Sequence, residues 1–228
     1  IVGLTTMWLS KKIKAAQTSI SLQSNSLSGS ITESIRRYPK RMRFFSTAEN
    51  IEIGGIPFPI SEVKANRSEA LQYYRKVAGY YHLNFKLFTE VTQVIKQNDI
   101  FEVQTVDGEV YHARKVVIAT GYFDFPRHLG ITGENLPHVS HYYDEPFQYS
   151  FSKVVIVGAA NSAVEAALEL YRHDVDVTVV HRGEDFRPTV KYWLVPDVKN
   201  RVKEGKIKTR FNSLIKAIEP KRVQIENT

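Results

Sequence analysis

The sequence has 228 residues, of which 43% are hydrophobic and 24% are charged, so its composition is that of a globular protein rather than of a disordered or fibrous chain. It contains no cysteine, which excludes disulfides, cysteine zinc sites, iron–sulfur clusters and a Cys-x-x-Cys redox pair within these residues and is consistent with a cytoplasmic location. Its apolar runs are too short to cross a bilayer, while the net charge of +7 favours an anionic partner such as nucleic acid, an acidic membrane surface or a phosphorylated cofactor.

The first part of the chain differs from the rest. Residues 1–32 contain no Asp or Glu and are crowded with Ser and Thr, as in a transit peptide or a disordered tail. From Arg67 the pattern predicts a helix capped by Ser68. A β-meander follows, with Asp107-Gly108 as its hairpin turn. Its predicted strands are Asn84–Ile95, Ile100–Thr105 and Val110–Ala113.

Two further segments lead to the second half of the chain. The β-branched run Lys115–Thr120 predicts a buried strand that ends at Gly121. Residues 122–150 are rich in Pro and Gly and predict a connector. Beyond it, a strand–turn–helix–strand pattern predicts the βαβ module of a nucleotide-binding sheet. Its strands are Lys153–Val157 and Val175–Val180, its helix is Ser162–His173, and further strands are expected at Ile207–Phe211 and Ala217–Glu226.

The turn of this βαβ module resembles the dinucleotide fingerprint G-x-G-x-x-G/A. Gly158 and Ala163 match its first and third small positions, whereas Ala160 adds a methyl group at the second. The start of the following helix offers free N–H groups and a partial positive charge, to which Asn161 and Ser162 add side-chain donors. We therefore predict a nucleotide-binding turn; the alternative is a purely structural βα turn.

The residues after the second strand of the module indicate which nucleotide is bound. An NAD site places Asp or Glu at this position to accept from the ribose 2′-hydroxyl. This chain has His181 and Arg182 there, with Arg187 shortly after, and a guanidinium can pair with a 2′-phosphate. The pattern favours NADPH over NADH; the alternative is a solvated basic loop.

Four segments together resemble a known family. The family is that of the thioredoxin-reductase-like FAD/NAD(P)-binding flavoproteins, which these segments resemble: KVVIATGYFDFP, GENLPHVSHY, KVVIVGAANSAVEAALEL and VTVVHRGEDFRP. Two further segments are similar to the bacillithiol disulfide reductase (YpdA-like) subfamily: SITESIRRYPKRMRFFSTAENIEIGGIPFP and RSEALQYYRKVAGYYHLNF. The resemblance extends from Gly29 to the C-terminus. It implies an α/β fold with two Rossmann-like lobes, doubly wound and three-layered, and a β-meander.

The resemblance also implies two cofactor domains: an FAD-binding domain over residues 1–148 and an NADPH-binding domain over 149–228. Hydride would pass from NADPH through the flavin to a small disulfide such as bacillithiol disulfide. The alternatives are a flavin-containing monooxygenase and a non-catalytic NADPH-binding fragment. The residues carried over to NADPH are Gly158, Ala160, Asn161, Ser162, Ala163, His181, Arg182 and Arg187. Those carried over to FAD are Thr120, Gly121, the backbone of Val91 and, on the isoalloxazine side, Ser34, Phe45 and Ser46.

The chain departs from the family pattern at both ends. The FAD domain is incomplete, because residues 1–28 lack the expected first Gly-rich motif and the C-terminal return to this domain is also absent. One hypothesis is that residues 4–28 are a wrong-frame translation between two compensating frameshifts. Some family members pass electrons through a pair of cysteines, and this sequence has no such pair. The sequence therefore assigns no catalytic residue.

Two remaining patterns are weighed against simpler interpretations. A basic run interleaved with aromatic residues can bind single-stranded nucleic acid, but no RNA-binding signature accompanies it and we expect no nucleic-acid partner. The run is Arg36, Arg37, Lys40, Arg41 and Arg43. His138 and His141 have a spacing that zinc can use, yet no suitable third ligand stands beside them in the sequence, and we expect no metal. We also expect no membrane partner, and the sequence leaves a homo-oligomer open.

Overall fold

The computed structural model of the chain describes residues 20–23, 30–121, 123 and 126–228. The chain divides into two compact units, Ile1–Phe125 and Pro126–Thr228, here called unit 1 and unit 2. The predicted boundary between cofactor domains, after residue 148, stays a prediction. In the part of the chain that the structure describes, no helix is both long and apolar enough to span a membrane.

Unit 1 contains the predicted β-meander. Its sheet has the order β1-β2-β3-β4, in which β1 runs parallel to β2 and the other neighbours are antiparallel. Gly108 takes a φ of 82° in the hairpin between β3 and β4, which confirms the Asp107-Gly108 turn. The elements of unit 1 are β1 (Ile20–Gln23), α1 (Glu33–Arg36), α2 (Ala48–Ile51), α3 (Arg67–Tyr80), β2 (Asn84–Gln97), β3 (Ile100–Thr105) and β4 (Val110–Ala113). Apart from β1, the predictions for residues 1–28 lie outside the described residues.

The N-cap of helix α3 lies two residues before the predicted cap, at Asn66 instead of Ser68. The side chain of Asn66 accepts from the Glu69 N–H at 3.0 Å, and the Glu69 carboxylate accepts from the Asn66 N–H at 2.8 Å. This reciprocal pair is a capping box, so the cap is Asn66 and the prediction of Ser68 was wrong. The helix then buries one face, on which Tyr73 stacks on Phe58 with ring centroids 4.0 Å apart.

The segment Lys115–Thr120 is not the buried strand that its apolar run predicted. It has no regular secondary structure, and the exposed fractions of Val117 and Ile118 are 59% and 73%. A strand needs neighbours for its backbone hydrogen bonds, and none of the strands described in unit 1 pairs with this segment.

Unit 2 contains the predicted βαβ module. Its parallel sheet has the order β5-β6-β7, with Val157 opposite Val180, so β5 and β6 end at the same edge. The prediction is confirmed, although the helix begins at Asn161 rather than Ser162, and the last predicted strand is a two-stranded hairpin. The elements are β5 (Lys153–Val157), α4 (Asn161–Tyr171), β6 (Asp176–Val180), α5 (Val195–Lys203), β7 (Ile207–Arg210), β8 (Ser213–Glu219) and β9 (Arg222–Asn227).

The core of unit 2 lies between this sheet and its helices. Leu168 and Leu170 of α4 are buried against Val177 and Val179 of β6 and Ile207 of β7. Strand β6 is flanked by strands on both edges, and its residues Val177, Val179 and Val180 are fully buried. Each such side chain contributes roughly 1.5–3 kcal/mol by leaving water. The core fixes α4 beneath the turn that the sequence singled out.

A loop before the module is fixed against β8 at Gly133. Its φ is 85°, and a Cβ at this position would lie 1.9 Å from the carbonyl oxygen of Ile218. Gly130, with φ 70°, has open space at the corresponding position. We expect Gly133→Ala to lower the free energy of unfolding by about 1–3 kcal/mol more than Gly130→Ala, because it adds a backbone collision to the left-handed strain that both share. Urea unfolding of the two variants measures this difference, and equal losses would contradict it.

Candidate functional site

The turn between β5 and α4 is built as a dinucleotide turn requires. Gly158 takes a φ of 123°, and its N–H donates to the carbonyl of Val180 at 2.9 Å. A Cβ on Gly158 would meet only the Cβ of Ala163, at 3.8 Å. Glycine is therefore needed here for its backbone conformation rather than for space. The small side chain of Ala163 lets the helix approach the turn.

The start of α4 is suited to an anion. Ala160 is the N-cap residue, with extended backbone and no side-chain capping bond. The first N–H groups of a helix lack intrahelical acceptors and carry a partial positive charge. Because no side chain of Ala160 covers them, and Ser162 is exposed beside them, a phosphate can approach this end. The departure from glycine at position 160 leaves this property intact.

Asn161 has a role that the sequence did not indicate. Its amide nitrogen donates to the carbonyl of Thr189 at 2.9 Å, and its amide oxygen accepts from the Lys191 N–H at 2.7 Å. The sequence predicted a donor to a cofactor, whereas in the structure this amide bonds the loop formed by residues 187–191. The N–H of Arg187 also donates to the carbonyl of Ala159 at 2.9 Å. Turn and loop are thus bonded to each other at both ends of the loop.

Lys191 ties the same loop to α4 through its side chain. Its ammonium group forms an ion pair with Glu165 and lies 5.8 Å from the ring centre of Trp193. The Lys191 side chain is only 10% exposed, so this pair is better shielded from water than an ordinary surface pair. The loop that carries Arg187 is therefore held by both backbone and side-chain contacts.

The structure brings together the three basic residues predicted to select the nucleotide. Burial of its ring, and then the positive charges of Arg182 and Arg187, lower the pKa of His181 below its ordinary value of 6.5. His181 is therefore neutral at pH 7, and the two exposed guanidinium groups carry the positive charge. The backbone of His181 is fixed by hydrogen bonds with Arg210 and Ser213, at 2.9 and 3.0 Å. The basic group consequently stands at the end of β6, close to the turn after β5.

In unit 1 the structure brings together two of the residues predicted for the flavin. Gly121 has a φ of 78°, and a Cβ at this position would lie 3.0 Å from the hydroxyl of Ser34. Thr120 and Phe45 are exposed and Ser46 is half-buried. Val91 lies apart from this pair in β2, opposite Thr105 of β3. The assignment of all these residues to a flavin site stays a prediction.

A cluster in the connector was missed by the sequence reasoning. His141 lies against Glu134, whose carboxylate is 3.0 Å from its Nε2 atom, and His128 lies near the same carboxylate. Glu134 is buried and accepts from the N–H groups of Leu129 and Gly130, both at 2.7 Å. The sequence paired His141 with its neighbour His138, because spacing along the chain does not show how the connector turns back on itself.

Taken together, these features define the class of protein. It is an α/β protein with a βαβ module whose turn, helix start and flanking arginines suit a dinucleotide. A family model described as pyridine nucleotide-disulphide oxidoreductase matches residues 17–228. The chain belongs to this family, which confirms the predicted α/β fold class and a pyridine nucleotide as the kind of cofactor.

Within this family, the chain is similar to several proteins named Bdr. The chain is 38% identical over 191 residues to the bacilliredoxin reductase Bdr of Bacillus subtilis, covering 83% of this chain and 59% of that protein. It is similar to the bacillithiol disulfide reductase Bdr (YpdA) of Staphylococcus aureus, with 36% identity, a TM-score of 0.88, and 95% and 66% of the two chains covered. It is also similar to the bacillithiol disulfide reductase Bdr (YpdA) of Bacillus cereus, with 33% identity and a TM-score of 0.87. That match covers 96% of this chain and 71% of the other. The predicted subfamily resemblance is confirmed, and the chain spans about three-fifths of the length of the B. subtilis relative.

The bonds made by Asn161 lead to a prediction about nucleotide affinity. We expect Asn161→Ala to weaken NADPH binding by about 5- to 30-fold, because losing two hydrogen bonds of roughly 1 kcal/mol each releases the loop that carries Arg187. Asn161→Asp keeps the acceptor for Lys191 and should lose less. Fluorescence titration of the full chain with NADPH measures both variants. Equal affinity in Asn161→Ala and the unchanged protein would show that the loop is held without this side chain.

Proposed function

We propose that this chain is part of an NADPH-dependent FAD oxidoreductase that passes hydride from NADPH through the flavin to a disulfide acceptor such as bacillithiol disulfide. The observation that carries the proposal is the pair of exposed guanidinium groups, Arg182 and Arg187, beside a dinucleotide turn. The similar relatives are a bacilliredoxin reductase and two bacillithiol disulfide reductases, which supports the disulfide acceptor and favours it over a monooxygenase reaction.

The residues of unit 2 supply binding and orientation for NADPH. The turn at Gly158 brings the backbone to the pyrophosphate, and the first N–H groups of α4 donate to it. Arg182 and Arg187 neutralise the 2′-phosphate, which NADH lacks. His181, neutral at pH 7, borders this position without adding charge. Ala160, Asn161, Ser162 and Ala163 complete the site by shaping the turn and holding its loop.

The proposed FAD site lies in unit 1. Thr120 and Gly121 lie against the cofactor, Ser34, Phe45 and Ser46 line its isoalloxazine side, and the Val91 backbone meets its adenine. Gly121 takes a left-handed backbone with the Ser34 hydroxyl beside it, and glycine adopts this conformation without strain. When bound, NADPH supplies the hydride and FAD accepts it. These 228 residues contain no cysteine, so the proposal assigns no thiol within them to electron transfer.

The test is a visible absorption spectrum of the purified chain after incubation with FAD and desalting. Retained flavin bands that bleach when NADPH is added without oxygen would support the proposal. Recovery of the bands on adding bacillithiol disulfide would support the acceptor, and recovery only with oxygen would favour the monooxygenase alternative. Loss of the flavin on desalting, with NADPH still bound, would reduce the proposal to a non-catalytic nucleotide-binding fragment.

The proposal includes a cytoplasmic location and a small-molecule disulfide as the partner, with no membrane or nucleic-acid partner. The basic run of unit 1 is partly neutralised, since Arg36 and Arg37 form ion pairs with the buried Glu33, at 2.6 and 3.1 Å. Arg43 pairs with Glu62 at 2.8 Å. Paired cations release fewer counterions from a nucleic-acid backbone, so salt-insensitive, weak binding to random oligonucleotides is the expected result.

A further inference from the structure

Three side chains that are common metal ligands converge at the start of unit 2. They are His128, Glu134 and His141, each offering one ligand atom, and these atoms all lie within 4.8 Å of one another. We propose that they form a binding site for a first-row divalent cation, with Zn²⁺ the best fit. The site is separate from the proposed NADPH residues and does not depend on the proposed function.

The distances suit a tetrahedral cation. The Oε1 atom of Glu134 is 3.0 Å from Nε2 of His141 and 3.6 Å from Nδ1 of His128. Zinc binds His nitrogen and carboxylate oxygen at about 2.0–2.1 Å, so neighbouring ligands of a tetrahedral ion lie about 3.3 Å apart. The two observed distances lie on either side of this value. Each of these two pairs needs a shift of only a few tenths of an ångström to reach this spacing.

The carboxylate of Glu134 is already oriented by its hydrogen bonds. Glu134 is 7% exposed, and the N–H groups of Leu129 and Gly130 bond to its two oxygens. Hydrogen bonds of this kind fix a ligand's direction and strengthen metal sites. The carboxylate is therefore held in one orientation beside the two imidazoles.

The loop that carries the cluster is anchored to β8, and the two histidine side chains are accessible to solvent. The carbonyl of Thr132 accepts from the Ile218 N–H at 2.8 Å, which anchors the loop to β8. The side chains of His128 and His141 are 61% and 24% exposed, so an ion can enter from solvent. Two imidazoles and one carboxylate leave a fourth position for water, the arrangement of an open zinc site.

The test is calorimetric titration of the full chain, treated beforehand with a chelator, with ZnCl₂. We expect one ion per chain at micromolar affinity, and a loss of about tenfold or more in His128→Ala and in His141→Ala, since each removes one of three ligands. His138→Ala is the matched control, because it removes another histidine of the same connector and should leave the affinity unchanged.

Co²⁺ provides a second measurement on the same proteins. Intense visible bands of tetrahedral Co²⁺ should appear in the unchanged chain and in His138→Ala, and should be absent in His128→Ala. Equal zinc affinity in the unchanged protein and His128→Ala, or an equal loss in His138→Ala, would overturn the proposal. His128→Ala decides the outcome if His141→Ala does not fold, because the ring of His128 is mostly in solvent.

Discussion

Arg182→Ala should weaken NADPH binding by about 10- to 100-fold while changing NADH binding by less than about twofold. The reason is that a hydrogen bond between charged groups contributes roughly 1.5–3 kcal/mol, and only NADPH carries the 2′-phosphate that this guanidinium would meet. Arg182 is exposed and shares its surroundings with His181 and Arg187, so its removal leaves no buried group without a partner. Fluorescence titration with the two nucleotides measures the ratio.

A matched control separates this local effect from a general loss of positive charge. Arg172 lies at the other end of α4 and pairs with Asp197 at 2.6 Å. Arg172→Ala removes the same charge and should leave the ratio of NADPH to NADH affinity unchanged. Equal losses for both nucleotides in Arg182→Ala would refute the selection of NADPH by this residue.

Leu168→Ala should lower the free energy of unfolding of unit 2 by about 2–5 kcal/mol. Leu168 is 1% exposed and lies in the centre of the core between α4 and the parallel sheet, so its truncation removes apolar burial and leaves a cavity. Leu214 in β8 is 41% exposed, and Leu214→Ala should cost less than about 1 kcal/mol. Urea unfolding followed by circular dichroism compares the two variants.

Equal losses in the two variants would show that another part of the protein determines the free energy of unfolding. Similar losses for Leu168→Ala and Leu214→Ala would mean that the core beneath the turn does not control the unfolding of unit 2. In that case the nucleotide affinity of Leu168→Ala should also equal that of the unchanged chain, since the helix start would keep its position.

The elements that could be predicted from the sequence are those with strong local signals. The βαβ module combines a β-branched run, a glycine at a left-handed position and a helical apolar stripe, and each signal is contained within a few residues. The hairpin at Asp107-Gly108 is equally local. For the same reason the sequence alone places the exposed arginines after β6 at one end of the sheet.

The errors concern features that depend on distant partners. Lys115–Thr120 has the composition of a strand but needs neighbouring strands, which its own residues do not specify. Ser68 and Asn66 are both good caps, and only the reciprocal bond with Glu69 chooses between them. The contacts of Asn161 with Thr189 and of His141 with Glu134 join residues across loops, and no periodic pattern predicts such pairs.

The bonds between the turn after β5 and the loop at residues 187–191 have a consequence for how a nucleotide would bind. Arg187 is attached through its backbone to Ala159, and Asn161 holds the far end of the same loop. The proposed positions for the pyrophosphate and for the 2′-phosphate therefore belong to one preorganised surface, and little conformational entropy should be lost there on association. Affinity at this surface should then vary among variants mainly through the dissociation rate, with the association rate nearly constant.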